Sequence, residues 1–235
     1  MARVRLSLLG AFRLERAGAP LRVPPSSQRL LAFVALHERP LRRAFVAGTL
    51  WIDSPEERAA ANLRSALWRL RRTGSELVEA AGPLLALGGD VDVDLRESEE
   101  LARDVVSGAC PDLALDAAAF ASDLLPDWYD DWVLLERERY RQLRLRALER
   151  LCERLADAGR LDEALASGLA AAAAEPLRES AHRAIVRVHL ANGNSGEALR
   201  QYRLYAALLR AQLGLEPSPL IRELLAGAES REPVR

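Results

Sequence analysis

The clearest pattern of apolar and polar positions in this chain lies between residues 59 and 74. At about 100 degrees per residue, Leu63, Leu67 and Leu70 fall within about 60 degrees of one another, as in an amphipathic helix. The opposite side of that helix carries Arg58, Asn62, Ser65, Arg69 and Arg72. The segment is therefore predicted to pack against a core with one face and to leave the other face for a partner.

The polar face has the composition of a surface that reads DNA. Arginine can bond to guanine or phosphate through its forked guanidinium, and asparagine can pair bidentately with adenine. The small side chains of Ala61 and Ser65 let the backbone enter a major groove. The candidate DNA-binding residues are Arg58, Asn62, Ser65, Trp68, Arg69 and Arg72. A solvated amphipathic helix without a ligand is the alternative on this segment alone.

The order of elements around this helix predicts a winged helix. Pro24 to Ser27 cap a first helix that stops before Pro40, and a second helix runs from about Arg42 to Trp51. The strands predicted before these helices are residues 4–9, 12–15 and 21–23, with a turn at residues 18–20. The strands predicted after the DNA-reading helix are residues 77–79, 84–87 and 91–95.

The second half of the chain contains an internal repeat. Gly159 with Glu163-Ala164-Leu165 and Gly193 with Glu197-Ala198-Leu199 are offset by 34 residues. This offset is the period of the paired helices in tetratricopeptide repeats, where the glycine ends one helix and the triplet opens the next. Stacked helix pairs have a concave side that a protein partner can occupy. The alternative is a plain helical bundle with a chance match.

The net charge of the chain differs between the residues before and after about residue 95. Residues 1–75 contain 14 arginines against five acidic residues, and residues 76–95 add five acidic residues and no arginine. Residues 96–235 have 19 arginines against 24 acidic residues, a net charge of −5. A basic module is thus joined to an acidic one, which suits a protein that holds DNA with one half and another partner with the other. The predicted fold is mainly α with a small β component, with a winged helix-turn-helix at residues 1–95 and an all-α, tetratricopeptide-like domain at residues 97–235.

Short motifs occur in a fixed order along both halves. Those of the N-terminal half are Leu50-Trp51-Ile52-Asp53, Ala61-Asn62-Leu63-Arg64, Leu67-Trp68-Arg69-Leu70-Arg71-Arg72 and Val91-Asp92-Val93-Asp94-Leu95. Those of the C-terminal half are Leu125-Pro126-Asp127-Trp128-Tyr129-Asp130-Asp131-Trp132, Glu175-Pro176-Leu177-Arg178-Glu179-Ser180-Ala181-His182-Arg183 and Gly214-Leu215-Glu216-Pro217-Ser218-Pro219. Together they resemble the SARP family of actinomycete antibiotic regulatory proteins, in which a response-regulator type of winged helix precedes a bacterial transcriptional activator domain (BTAD).

This resemblance implies a function and a set of partners. Family members of this type activate transcription as protomers side by side on direct repeats, so a homodimer on DNA is expected, with contacts to RNA polymerase and its sigma factor. The resemblance also implies a short form without the ATPase domain of larger members. Two positions depart from the family pattern: Ile52 stands where the family often has proline, and the predicted wing strand at residues 84–87 lacks a basic residue.

The remaining candidates for chemistry are weak, and no cofactor or metal is expected. His182 and His189 lie seven residues apart without an HExxH motif or a carboxylate at metal-ligand spacing. Cys110 and Cys152 fit no CxxC pattern and are interpreted as reduced structural thiols. The chain has no signal-peptide pattern and no apolar run of about 18 residues, which favours a cytoplasmic protein that binds no membrane.

We therefore interpret the chain as a non-enzymatic, sequence-specific transcription regulator, an activator that inserts residues 59–73 into a major groove. Asn62, Ser65 and Arg69 are expected nearest the base edges, and Arg58 and Arg72 toward phosphates. The alternative is a helical-repeat adaptor whose winged helix contacts proteins and does not bind DNA.

Overall fold

The computed structural model describes residues 3–109 and 117–229. Near the N-terminus lies a four-stranded sheet with the order β3-β2-β1-β7. Its strands are β1 (Val4–Ser7), β2 (Arg13–Arg16), β3 (Ala19–Pro20) and β7 (Val91–Val93). The first three strands form an antiparallel meander, and β7 runs parallel to β1. Alternation along β1 buries Val4 and Leu6 beneath the sheet.

Two predicted strands of this sheet are wrong in position. The third strand is residues 19–20 and not 21–23. Ala17 and Gly18 both adopt positive φ angles (50° and 79°) and form a tight turn, so the antiparallel strand begins directly after them. The strand predicted at residues 91–95 ends at Val93, since Asp94 begins a helix. The carboxylate of Asp94 accepts hydrogen bonds from the backbone N–H groups of Leu8 (2.8 Å) and Leu9 (3.2 Å), which fixes the end of β1.

Three helices and a hairpin complete the winged helix, as predicted, and a further short strand, which was not predicted, joins the hairpin in a second sheet. They are α1 (Pro25–Ala35), β4 (Leu41–Arg42), α2 (Arg43–Leu50), α3 (Glu56–Arg71), β5 (Val78–Ala81) and β6 (Leu84–Leu87). Strands β4 and β5 both pair antiparallel with β6, and the β5–β6 hairpin is the wing. The predicted apolar stripe of α1 is buried, with Leu30, Leu31, Phe33 and Val34 each at most 1% exposed.

Residues 123–139 pack in the same compact unit as residues 1–97. Trp128 stacks on Phe12, and Trp132 meets Phe33 of α1 edge-on. The N–H of Leu125 donates to the carbonyl of Leu8 at 2.9 Å. That residues 1–95 and residues 97–235 fold independently stays a prediction. The contacts between residues 123–139 and the N-terminal residues would be absent from both isolated fragments, so they bear on the stability of each fragment.

The described residues within 98–122 and 140–229 form the second compact unit, which is helical. The helices of the C-terminal half are α4 (Asp94–Ser107), α5 (Asp131–Asp157), α6 (Leu161–Ala174), α7 (Glu179–Ala191), α8 (Ser195–Leu213) and α9 (Pro219–Glu229), with a 3₁₀ turn at Ala117–Phe120. The turns after α5 and α7 contain Gly159 and Gly193, with φ angles of 76° and 72°. These left-handed glycines end the helices, so the predicted helix pairs are confirmed.

Close packing joins the two helix pairs. A Cβ atom on Gly168 of α6 would lie 2.9 Å from Ile185 Cγ1 and 3.3 Å from Cys152 Sγ, so only glycine fits without a shift. Cys152 is a buried, reduced thiol, and its burial raises the pKa to about 12, as befits an inert structural cysteine. Cys110 lies outside the described residues.

Candidate nucleic-acid interface

Helix α3 is positioned by the residues that begin it and by its apolar face. The carbonyl of Pro55 accepts the N–H groups of Arg58 and Ala59 at 2.9 Å, so the helix starts at Glu56, three residues before the predicted start. Glu56 and Glu57 lie in the first turn, where negative charge suits the helix dipole. The predicted stripe of Leu63, Leu67 and Leu70 is buried, at 5% exposure or less.

The opposite face of α3 carries the predicted DNA-binding side chains. Arg58, Ser65, Trp68, Arg69 and Arg72 are exposed, and Asn62 is half-buried. Trp68 keeps 57% of its surface exposed, and the Arg72 guanidinium lies over its ring, 4.7 Å from the centroid. This cation–π contact holds two of the predicted residues together on one side of the exposed face. Their roles toward DNA stay predictions.

Helix α1 supports this surface from below. The buried hydroxyl of Ser27 donates to the carbonyl of Ala66 at 3.2 Å, which ties α1 to the middle of α3. On the neighbouring residue, the Ser26 hydroxyl accepts a hydrogen bond of 3.2 Å from Arg69 Nη1. Arg69 is thus oriented by one of its five donors, and the remaining four are available to a ligand.

Two further exposed arginines on α3, Arg64 and Arg71, were not among the residues predicted from the sequence. They lie at the edge of the predicted polar face, and a wider polar sector on the helical wheel would have included them. Among residues 3–109 and 117–229, the arginines of α3 and of its C-cap form no ion pair: Arg58, Arg64, Arg69, Arg71 and the C-cap residue Arg72. Their charge is therefore not neutralised within the described part of the chain, as suits a surface that meets a polyanion.

The wing obtains its positive charge from another strand. Residues 78–87 contain no arginine, and Glu79 gives them a negative charge. Arg42 of β4 lies opposite Leu84 in the sheet register and is exposed. The next residue, Arg43, donates its backbone N–H to Pro83 (2.8 Å) and its Nε–H to Gly82 (2.9 Å) at the hairpin turn. The fold therefore places two arginines beside a wing whose own sequence has none.

His182 and His189 are the two histidines that the sequence marks as weak candidates for chemistry. Both lie on α7, but Nε2 of His182 lies 2.9 Å from the carbonyl of Pro176, and Nδ1 lies 2.8 Å from Nε2 of Gln201. Burial lowers the pKa of His182, which favours the neutral ring. Within the described residues, no cluster of three or more His, Cys, Asp or Glu side chains could hold a metal ion.

The motif around His182 has a structural explanation. Arg178 forms an ion pair with Glu149 of α5 (2.6 Å), and Glu175 pairs with Arg141 of the same helix. Glu179 accepts the backbone N–H of Ser218 at 2.8 Å, just before α9. The motif therefore connects the start of α7 to α5 and to the residue before α9.

No helix in the described ranges has the length and apolarity needed to cross a membrane.

Comparisons with known proteins agree with this fold and with the resemblance noted in the sequence. Residues 92–227 match the family described as "Bacterial transcriptional activator domain". The chain is 30% identical to Regulatory protein AfsR of Streptomyces coelicolor and 27% identical to Regulatory protein AfsR of Streptomyces griseus, in both cases over 94% of its own length. It spans 24% of the length of each of these relatives.

A solved structure shows the same architecture. EmbR of Mycobacterium tuberculosis, in complex with a low-affinity phosphopeptide, matches with a TM-score of 0.78 at 20% sequence identity. The match covers 100% of this chain and 67% of the EmbR chain. The predicted fold class, a winged helix followed by a helical-repeat domain, is thereby confirmed.

Proposed function

Because this chain belongs to the bacterial transcriptional activator domain family and is a transcription regulator of the SARP type, we propose that it binds promoter DNA sequence-specifically and activates transcription. One observation carries the DNA-binding part of this proposal. Helix α3 buries its leucines and exposes arginines that no acidic residue of the described chain neutralises. Such a face matches the phosphate charge and the donor and acceptor pattern of a major groove.

In the proposed complex, residues 59–73 lie in the major groove. Asn62, Ser65 and Arg69 contact base edges, since they lie along the helix between Arg58 and Arg72. Arg58 and Arg72 contact phosphates on either side, and Trp68 supports Arg72 through the stacking contact described above. Base contacts specify the sequence, whereas phosphate contacts fix the register of the protein on the duplex.

The wing contributes to the same complex through β4. Arg42 carries an exposed guanidinium beside Leu84 of the hairpin, within a sheet that fixes its backbone. It takes the role of a basic wing residue, which the hairpin sequence does not supply. The hydrogen bonds from Arg43 to Gly82 and Pro83 hold the turn in place as the protein docks.

The remaining steps are those that the resemblance to the SARP family implies. Two protomers bind side by side on direct repeats as a homodimer on DNA, and the complex contacts RNA polymerase and its sigma factor. The protein does this work in the cytoplasm, without catalysis of its own. The helical unit makes the DNA complex productive, because stacked helix pairs provide surfaces for protein partners.

Duplex binding and transcription test this function. The full chain should bind a regulated promoter more tightly than a random duplex, with an affinity that falls steeply with salt. It should also stimulate transcription by purified RNA polymerase holoenzyme from that promoter. The competing function is an adaptor whose winged helix contacts only proteins. Affinity for promoter and random duplexes that is equally weak at physiological salt would favour the adaptor, and transcription below the level without protein would indicate a repressor.

A further inference from the structure

Arg69 is the arginine of α3 whose guanidinium is held by a neighbouring helix. Its Nη1 atom donates to the Ser26 hydroxyl of α1 at 3.2 Å, and within the described residues neither side chain makes another hydrogen bond. The acceptor is a neutral hydroxyl and not a carboxylate, so the hydrogen bond orients the guanidinium without cancelling its charge. Arg69 is therefore held in place and still attracts a polyanion.

The position of the Ser26 hydroxyl is fixed by its neighbours. Two prolines precede Ser26 and restrict the backbone there, and the carbonyl of Pro24 accepts the N–H of Ser27 at 2.9 Å. The buried hydroxyl of Ser27 donates to the carbonyl of Ala66, which lies three residues before Arg69 on α3. The start of α1 is thus attached to the part of α3 that carries Arg69.

This arrangement restricts Arg69 before any DNA is bound. A free arginine side chain has several rotatable bonds, and it reaches phosphates as easily as base edges because both offer acceptors. Bidentate recognition of guanine instead requires N–H groups that are aligned with the O6 and N7 atoms at the same time. The hydrogen bond to Ser26 limits the rotamers of Arg69 and leaves its other N–H groups for a base. Preorganisation of this kind favours the directional contact over the non-specific one.

We propose that Ser26 is a specificity-determining residue, which acts through Arg69 and does not itself contact DNA. It holds the guanidinium toward a guanine, and the strength of the preference for that base depends on the Ser26 hydroxyl. This inference rests on the proposed sequence-specific binding of DNA. It places a determinant of base preference on α1, outside the helix that lies in the major groove.

A double-mutant cycle between Ser26 and Arg69 tests this role. Competition titrations compare duplexes that carry each possible base pair at every position of the regulated promoter site. Arg69→Ala should remove the preference for G·C at one position. Ser26→Ala should reduce the preference at that same position by about threefold to tenfold, the range expected for one hydrogen bond. The double variant should be no worse than Arg69→Ala, and Ser26→Ala should leave the affinity for a random duplex unchanged.

Two further variants separate positioning from a structural role. Ser26→Thr keeps the hydroxyl and should restore the preference. Ser75→Ala is the matched control, because it removes a similar hydrogen bond outside α3, from Arg16 Nη1 to the Ser75 hydroxyl at 3.0 Å. This control should leave every base preference unchanged. Thermal unfolding establishes that each variant is folded. If Ser26→Ala disrupts α1, Ser26→Val compared with Ser26→Thr gives the same test at similar side-chain volume.

Three results would overturn the proposal. One is an unchanged preference at the Arg69 position in Ser26→Ala. Another is a loss of preference from Ser26→Ala that persists in the Arg69→Ala background. The third is an equal loss of affinity for promoter and random duplexes, which would show that the Ser26 hydroxyl donates to a phosphate and does not act through Arg69.

A measurement without DNA distinguishes failure of this inference from failure of the proposed function. Side-chain nitrogen NMR of the free chain should show slower rotation about the Nε–Cζ bond of Arg69 than of Arg64, which has no hydrogen-bond partner among the described residues. Ser26→Ala should remove this difference. A held Arg69 in a chain that binds promoter and random duplexes equally would contradict the proposed function, and the role of Ser26 would fall with it. Normal promoter preference without slower rotation of Arg69 would contradict the role of Ser26 alone.

Discussion

Phe33 of α1 and Trp132 of α5 meet edge to face, with ring centroids 5.1 Å apart. Phe33 belongs to the winged helix, whereas Trp132 lies within residues 92–227, the range matched by the activator-domain family. The two residues nonetheless share one compact unit. The C-terminal family segment thus supplies part of the core under α1, the helix that supports α3.

The first prediction follows from this contact. Trp132→Ala should lower the free energy of unfolding by about 2 kcal/mol, less than a fully buried tryptophan would cost, because Trp132 is half-buried and its Nε1 has no acceptor among the described residues. Urea unfolding measures the change. Trp68→Ala is the matched control, since Trp68 is exposed on α3 and should affect stability by only about a few tenths of a kcal/mol.

The contact between Phe33 and Trp132 also affects the expected stability of the isolated domains. Residues 1–95 should still unfold cooperatively, but at a lower temperature than the corresponding transition of the full chain. If residues 1–95 and 97–235 both fail to unfold cooperatively, the predicted two-domain division is wrong.

The second prediction concerns base reading by α3. Arg69→Ala and Asn62→Ala should each weaken specific binding by about 1 to 3 kcal/mol without unfolding the protein, because neither is part of the buried stripe. Arg72→Ala should weaken binding to all sequences by a similar factor. Titrations of promoter and random duplexes separate the two effects. Equal losses on both duplexes for Arg69→Ala would remove Arg69 from the residues that read bases.

The third prediction assigns the wing's charge to β4. Arg42→Gln should reduce the slope of log K against log salt by about 0.9 for each phosphate that the variant no longer neutralises. Binding measured from low to moderate salt gives this slope. Arg13→Gln, at an exposed arginine of β2, is the control and should leave the slope unchanged. An unchanged slope for Arg42→Gln would exclude Arg42 from the interface.

The fourth prediction compares two glycines in helices. Gly168→Ala should destabilise the fold, because the new Cβ would lie 2.9 Å from Ile185 Cγ1 in a packed interior. Gly48→Ala in α2 should instead stabilise the fold by about 0.5 to 1 kcal/mol, since no atom lies within 4 Å of the added Cβ and alanine favours helices. Thermal unfolding of both variants checks the opposite signs. A stabilising Gly168→Ala would show that α6 and α7 can move apart at little cost.

The fifth prediction concerns pH. His182 has a pKa below its ordinary value of 6.5, chiefly because burial disfavours the charged ring, although Pro176 and Glu179 act in the opposite direction. The unfolded chain therefore binds a proton first as the pH falls below 6.5, and the free energy of unfolding decreases until the folded-state pKa is passed. Urea unfolding between about pH 7 and pH 5 measures this loss. His182→Gln should be less stable at neutral pH and should show a smaller pH dependence in that window.

The patterns that repeat along single elements could be predicted from the sequence. The 3.6-residue period of α3 depends only on local geometry, so its buried leucines and exposed arginines follow from the sequence. Gly159 and Gly193 likewise mark helix ends through their own backbone preferences. The family motifs added the order of domains, which the helical wheel alone does not provide.

Strand pairing and side-chain partners required the tertiary structure. The sequence predicts a helix that begins at about Arg42. Only the pairing of β4 with β6 in the structure places Arg42 beside the wing. Trp132 is distant from Phe33 in the sequence, and helical periodicity contains no information about which aromatic rings meet. Such contacts depend on how the chain closes long loops.

The sequence by itself determined the mainly helical fold, the amphipathic helix α3 and the helix pairs, because each follows from local periodicity and turn chemistry. The tertiary structure alone decided that Asp94 fixes the end of β1 and begins a helix, and that Arg42 of β4 and Arg43 of α2 lie beside the wing. It alone also decided that Arg183 Nε is buried without an acceptor among the described residues. These features arise where segments far apart in the chain share hydrogen bonds and buried volume. A one-dimensional pattern does not contain that information.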